Sequence, residues 1–326
     1  MTDTTSHPIP GDAKGSIARR TRKLPFLLQW LTWPITLIGG VAVVVAAPSR
    51  GIDMVSASGA VTGILILTLV VMERFWPADR KWAMTWRSFA RDIQFFAING
   101  VTIFATNIAF SWIGIEAGKG HAGPLTSVPL VLSVPAAILV IEFFQYWLHR
   151  ISHEASGPLG RFLWRSHAAH HLPEQVYVLM HPAGHPINTF IVRGFVTIVP
   201  VYLLGLPPEG IVIAFLIMGI QGIISHTNID LRAGWLNYIF VGSELHRYHH
   251  SADVDEAGNY ATALSILDVL FGTFVYRPGE MPIEVGVSAR ETYPRSGQIA
   301  RIMALPFLPP RLAKEPSPEA SHASPK

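Results

Sequence analysis

The chain contains no cysteine and little charge. Without cysteine there are no disulfides, thiolate metal ligands, iron–sulfur clusters or nucleophilic thiols. Only 14% of the 326 residues are charged, against about 25% in a soluble domain. The formal net charge is +3, and no basic stripe interleaved with aromatics is present, so a nucleic-acid partner is not expected. There is no internal repeat and no second soluble domain. Nothing in the chain looks like a fused haem or flavin module.

Half of the residues are apolar, and they are grouped. Uncharged runs occupy Leu24–Ser49, Met54–Met72, Ile93–Ile115 and Gly120–Ile141. Each reaches roughly the 20 residues that a helix needs to cross the hydrocarbon core. Two weaker runs follow, Ile187–Leu206 and Gly210–Ile229. Arg193 interrupts the first, and Pro207–Pro208 separates the pair as a hairpin turn. The expected fold is an all-α, polytopic membrane helical bundle of four clear spans plus a C-terminal hairpin, with a histidine-rich helical cap on the cytoplasmic side. The expected division is a polar basic tail (1–23), N-terminal spans (24–139), a histidine-cluster domain (140–277) and a C-terminal extension (278–326). The extension, rich in Pro, Ser and Ala, is expected to be disordered from Lys314. The first run follows a basic segment without a small-residue cleavage site, which predicts a retained span.

Basic residues set the orientation. Lys14, Arg19, Arg20, Arg22 and Lys23 precede the first span. Arg74, Arg80, Lys81, Arg87 and Arg91 lie between the second and third. The other two loops hold only Arg50 and Lys119. The N-terminus is therefore predicted to be cytoplasmic, and both later ends of the bundle return to that side. The segment Pro77–Arg91, with Trp82, Trp86 and Phe89, reads either as an amphipathic interfacial element or as a solvated connecting loop.

Histidine is plentiful where cysteine is missing. Eight of the 14 histidines form three clusters beside apolar runs. His149 and His153 lie in HRISH, His167, His170 and His171 in HAAHH, and His246, His249 and His250 in HRYHH. On a helix, residues three or four apart share a face, and imidazole is the commonest nitrogen ligand for transition metals. Eight imidazoles exceed what one ion accepts; a structural zinc takes four. Two metals with open positions fit the count better. The orientation brings all three clusters to one side of the membrane, as a shared site requires. His226 ends the last apolar run and is a further candidate ligand. His181 and His185, four apart in MHPAGHP, are candidates too, although Pro182 and Pro186 oppose a regular helix there. His7 and His322 lie in the tails and His121 in an exterior loop, and these three are read as unrelated.

EFFQYWLHRISHE, LWRSHAAHH, ELHRYHH and the closing GNYATALSILDVLFGTF, in this order, resemble the fatty acid hydroxylase, or sterol desaturase, superfamily of integral membrane proteins. The resemblance covers about Val140 to Tyr276. It implies a non-haem di-iron centre, with two Fe held by His149, His153, His167, His170, His171, His246, His249 and His250. His226 matches a histidine that ends a span in relatives. It also implies O2-dependent hydroxylation, or desaturation, of a lipid C–H bond. Where some relatives carry a second histidine four residues earlier, this chain has Gly222, and His181 or His185 is a candidate replacement. Many bacterial relatives have an arginine shortly before the HP dipeptide, where this chain reads VLMHP.

Attack on an unactivated C–H bond needs a metal–oxygen species. Acceptors behind the ligands should orient each imidazole through its outer nitrogen. Glu142 and Asp268 are favoured for this, with Asp253, Asp255 and Asn259 as further candidates. The expected partners are the bilayer, a lipid substrate (a sterol, fatty-acyl chain, alkylglycerol or carotenoid) and a separate electron donor such as cytochrome b5, a ferredoxin or a reductase. The competing reading is a membrane metal transporter or sensor.

Overall fold

The computed structural model describes residues 23–118 and 123–308. The tails, including His7, His322 and the segment from Lys314, lie outside the described residues, as does His121. The described chain is helical, with two isolated bridges and no extended strand.

Six segments are long and apolar enough to cross a membrane. They are α1 (Phe26–Ala46), α2 (Met54–Phe75), α3 (Trp86–Gly118), α4 (Leu130–Glu154), the pair α6 (Pro186–Ile191) and α7 (Val199–Leu204), and α8 (Pro208–Ser225). A π-helical segment, Val192–Ile198, joins α6 to α7. The four clear runs and the hairpin of the sequence are all present. Much of the apolar surface faces outward: Ile38, Val101 and Val131 are 70%, 70% and 77% exposed. A water-facing fold does not leave apolar side chains so bare on successive helices, whereas a lipid-facing one does.

α8 is the centre of the bundle and packs against α1, α2 and α4. Leu216, Ile220 and Ile224 meet Val44 and Leu69 on one side, and Ala214 meets Ala137 and Ile141 on the other. α3 packs against α6, α7 and the π-helical segment. Gly194 is needed there, because a Cβ would stand 2.5 Å from the Phe110 ring.

Two boundaries differ from the sequence reading. The fourth span starts at Leu130 and runs on to Glu154, so His149 and His153 belong to its last turns instead of following it. The Pro77–Arg91 segment is not one amphipathic element. It holds a single 3-10 turn, Arg80–Trp82, and then α3 begins at Trp86. Trp82 is buried and Trp86 is exposed. The guanidinium of Arg247 lies 5.9 Å from the centroid of the Trp82 ring, which holds the turn against the cap.

The cap closes one end of the bundle. It consists of α5 (Gly157–His171), α9 (Ser243–His249), α10 (Ile266–Phe271) and α11 (Ile299–Ala304) with their loops. The ends of α2 and α4 reach it directly. Pro77 bridges to Ile229, and the Glu73 carboxylate accepts from the backbone N–H of Val178 (2.9 Å) and Asn228 (2.7 Å).

Candidate metal centre

Nine histidines converge beneath the cap. The ring nitrogens of His149, His153, His167, His171 and His249 form one group, and those of His170, His226, His246 and His250 a second. Within each group the nitrogens lie within 4.8 Å of one another. The groups are neighbours, since the rings of His171 and His250 stack with centroids 4.6 Å apart.

Helix geometry explains the division. At 100° per residue, positions i and i+4 differ by about 40°, whereas i+3 and i+4 differ by about 100°. In α5, His167 and His171 therefore point into the first group while His170 turns to the second. In α9 the sense is reversed: His246 and His250 enter the second group and His249 the first. α4 contributes only to the first, through His149 and His153. His226, the C-cap of α8, contributes only to the second.

Backbone acceptors define the tautomers. His149 Nδ1 lies 2.6 Å from the Tyr260 carbonyl, His170 Nδ1 2.9 Å from that of Ala183, and His249 Nδ1 3.0 Å from that of Gly258. His226 Nδ1 lies 2.7 Å from the Gly222 carbonyl. A carbonyl oxygen only accepts, so each of these Nδ1 atoms carries the proton and each Nε2 is a bare lone pair. His170 Nε2 and His226 Nε2 nevertheless stand 3.1 Å apart. Two facing lone pairs at that distance repel unless a cation lies between them. A metal–nitrogen bond of about 2.1 Å places nitrogens at right angles about 3 Å apart. The contacts His149–His167 (2.9 Å), His167–His171 (3.1 Å), His226–His246 (2.9 Å) and His246–His250 (3.2 Å) have that spacing, all between Nε2 atoms. His153 Nε2 and His249 Nε2 are buried without a hydrogen-bond partner. The donor set fits two transition-metal ions.

Burial keeps these rings neutral. It holds His170 and His181 down at about 4. It drives His167, His171, His226, His246, His249 and His250 well below the ordinary imidazole value, with neighbouring histidines adding to the effect. In the unfolded chain the same rings take up protons near pH 6.5. Between about pH 6.5 and 4 the unfolded state thus binds more protons, and stability rises with pH across that window. Metal-free protein in detergent should melt at a constant temperature from about pH 8 to 7 and at steadily lower temperatures below 6.5. A melting temperature unchanged down to about pH 4.5 would contradict neutral buried rings.

Glu142 and Asp268 do not touch a histidine ring, contrary to the expectation that they would accept from one directly. Glu142, fully buried, accepts from Thr262 Oγ1 (2.7 Å) and from the N–H groups of Thr262, Ala263 (2.7 Å) and Leu264 (3.2 Å). Asp268 accepts from the N–H groups of Tyr260 (2.7 Å) and Ala261 (3.1 Å) and from Thr273 Oγ1 (2.7 Å). Both hold the 260–264 loop, and the loop presents the Tyr260 carbonyl to His149. Five consecutive loop N–H groups, Tyr260 to Leu264, lack a ladder partner, which is why two carboxylates serve them. Asn259, in the left-handed region at φ 58°, bonds Leu245 and Val275 and holds the same loop. Asp253 caps its own surface turn by accepting from Asp255 N–H (3.0 Å).

His181 and His185 separate clearly. His185 Nδ1 accepts from Ile187 N–H at the start of α6, and its Nε2 donates to the Met303 carbonyl (3.1 Å). It caps a helix and lies outside both groups. His181 stands behind His226, with the two Nδ1 atoms 3.2 Å apart. Its ring fills the space beside Gly222, where a Cβ would meet His181 Cε1 at 2.9 Å. Gly222→Ala should therefore displace His181 and, through it, His226. Overpacking of this kind costs about 1–3 kcal/mol. The expected readout is a lower melting temperature together with lost metal from the second group. Full metal content in G222A would refute the coupling.

Sequence reasoning missed the ring acceptors, because the carbonyls of Ala183, Gly258 and Tyr260 leave no side-chain signal. It also missed Trp164, whose ring packs 5.0 Å from His153 and whose Nε1 donates to Tyr293 OH (2.7 Å). Gly258 was the one available clue: a Cβ there would lie 2.4 Å from the Thr273 carbonyl, so the GN pair marks a tight turn beside the centre.

Comparison with known proteins agrees with this geometry. Residues 134–273 match the fatty acid hydroxylase family. The ornithine lipid hydroxylase OlsE of Rhizobium tropici is 34% identical over 168 residues, 50% of this chain and 47% of that protein. A putative methylsterol monooxygenase of Dictyostelium discoideum is 27% identical over 162 residues, 48% of this chain and 56% of that protein. The human alkylglycerol monooxygenase is 29% identical over 142 residues, 43% and 30% of the two chains. The chain thus spans about half the length of the first two relatives. No solved structure matches it. Residues 134–273, which match the fatty acid hydroxylase family, carry all nine converging histidines of this multi-pass membrane protein.

Proposed function

We propose that the protein is a membrane lipid hydroxylase with two irons, one in each histidine group. The observation that carries this reading is the pair of converging Nε2 sets, five and four nitrogens, buried beside each other at one end of a lipid-facing bundle. His149, His153, His167, His171 and His249 would hold one iron, and His170, His226, His246 and His250 the other. His181 backs His226, and His185 is left out. The balanced reaction is RH + O2 + 2e− + 2H+ → ROH + H2O. Bound there, two irons would supply the reductive O2 chemistry that oxidation of a C–H bond requires. The electrons come from a separate donor protein.

The chain's own residues do the rest. Neutral imidazoles leave the irons electrophilic. The carbonyls of Ala183, Gly222, Gly258 and Tyr260 fix four of the rings through their Nδ1–H groups. Trp164 and Tyr260 pack against His153 and shield the first group from water. The basic loop between α2 and α3 lies at the same end as the cap, which supports a cytoplasmic active site. A transporter is disfavoured, since its ligands belong near the bilayer midplane in broken, repeated helices.

The test combines metal and product. Protein made under iron-replete conditions should hold about two irons per chain, one for each nitrogen group. Cells expressing it under 18O2 should contain one lipid class that gains a single labelled oxygen, and the His170→Ala variant should not make it. One zinc and no iron in active protein, or metal uptake without any lipid change, would end this reading.

A further inference from the structure

A cavity of about 970 Å3 opens beside the cap, at the end of α2. One wall is apolar, formed by Val71, Phe75 and Met84, all exposed at the end of a spanning helix and the turn that follows it. Its rim carries Arg74 and Arg80. Both guanidinium groups are exposed, and neither has a hydrogen bond or ion pair among the described residues. Glu73 also lines the cavity, but its Oε1 is turned to the N–H groups of Val178 and Asn228. The back wall is Tyr177 and Asn228.

That wall adjoins the second histidine group along the chain. Asn228 lies two residues from His226, within about 7 Å along the chain, and Tyr177 leads through one 3-10 turn, Val178–Met180, to His181. The cavity thus combines an apolar wall with a cationic rim, and its back wall separates it from the second histidine group. An apolar wall continuous with lipid selects a hydrocarbon chain. Two unpaired guanidiniums select a phosphate or carboxylate, which they bind in bidentate fashion. No neutral lipid satisfies both.

We infer that this cavity binds the headgroup of an anionic membrane lipid, held by Arg74 and Arg80, and that such lipids are the substrate class of the centre. The second clause rests on the hydroxylase reading, and the first does not. The headgroup sits at the rim while the chain lies along Val71 and Phe75, with the Tyr177–Asn228 wall between it and His226.

The binding test uses full-length holoprotein in detergent, titrated with dioleoyl phosphatidylglycerol, with dioleoylglycerol (the same chains without charge) and with inorganic phosphate, and read by native mass spectrometry. Phosphatidylglycerol should bind at least about tenfold more tightly than dioleoylglycerol, and the Arg74→Gln/Arg80→Gln double variant should abolish the difference. Arg74→Lys/Arg80→Lys should restore part of it, and iron content should match wild type in both. Millimolar phosphate should not compete, since it lacks the chain; competition would make this a free-anion site and overturn the lipid assignment. Equal binding of the two lipids, or a preference that survives in the glutamine variant, would overturn it as well. Labelling under 18O2 separates the two clauses. Label in anionic lipids that is lost in R74Q/R80Q supports both. Label in neutral lipids, unaffected by R74Q/R80Q, refutes the headgroup assignment and leaves the hydroxylase standing. Preserved lipid preference with no labelled lipid refutes the hydroxylase and leaves the binding site standing.

Discussion

His171→Ala should abolish turnover as fully as replacing His171 and His250 together. His171 belongs to the five-nitrogen group and His250 to the four-nitrogen group, and their rings stack at 4.6 Å. If both metals are needed for one reaction, loss of either group removes the whole function, and the second replacement has nothing left to remove. Losing an outer partner of a metal ligand costs about 10- to 100-fold. Losing the ligand itself should exceed the upper end of that range, and the same holds for His153, His170 and His249. His185→Ala is the discriminating control. It is equally a histidine of the MHPAGHP segment, but its nitrogens serve Ile187 N–H and the Met303 carbonyl. It should cost about 1 kcal/mol of stability as a lost helix cap and leave turnover nearly intact. Additive, independent losses from His171 and His250, measured as initial rates on iron-quantified protein, would show two separate sites.

Glu142→Ala should destabilise the protein by about 3–5 kcal/mol, the range seen when one partner of a buried charged network is removed. The carboxylate is fully buried and serves the backbone N–H groups of Thr262, Ala263 and Leu264. Deleting it leaves three donors without water or partner. The 260–264 loop then loosens, the Tyr260 carbonyl no longer fixes His149, and iron should be lost from the first group before the second. Glu142→Gln keeps an acceptor oxygen for the N–H groups but sets an amide NH2 near Thr262 Oγ1, so it should recover part of the stability. Denaturant midpoints in detergent, with iron counted per chain, check both. A Glu142→Ala protein with unchanged midpoint and two irons would show that the loop is held by other contacts.

Much of the fold was legible because a bilayer imposes a length. A helix rises 1.5 Å per residue, so each span must show about 20 apolar positions, and six such runs appear as six spanning segments. Boundaries were less legible. The start of α4 was read too early and its end at Ile141, because hydropathy stops where polar ligands begin even when the helix continues to Glu154. The Pro77–Arg91 segment stayed open between an interfacial element and a connecting loop for a different reason: Trp82 and Trp86 suggested one interfacial face, but Trp82 is claimed by Arg247 of the cap, a contact 165 positions away in the chain and invisible to any local pattern.

The sequence by itself determined the class of chemistry. No cysteine, clustered histidines and membrane-length runs leave imidazoles at a lipid surface as the candidate metal ligands, and the i, i+3, i+4 spacing ensures that each HxxHH must point its rings in two directions, because 100° per residue separates its last two members. Only the tertiary structure decided where those directions lead. α5 sends two rings to the first group and one to the second, and α9 does the opposite, because the two helices face the centre from different sides. The same holds for the histidines outside the motifs. His181 and His185 are equivalent in sequence, four apart and each followed by proline, but the gap left by Gly222 draws one against His226, while the start of α6 claims the other. Local spacing sets the angle between side chains on one helix; which element stands at the end of that angle is set by packing between segments far apart in the chain.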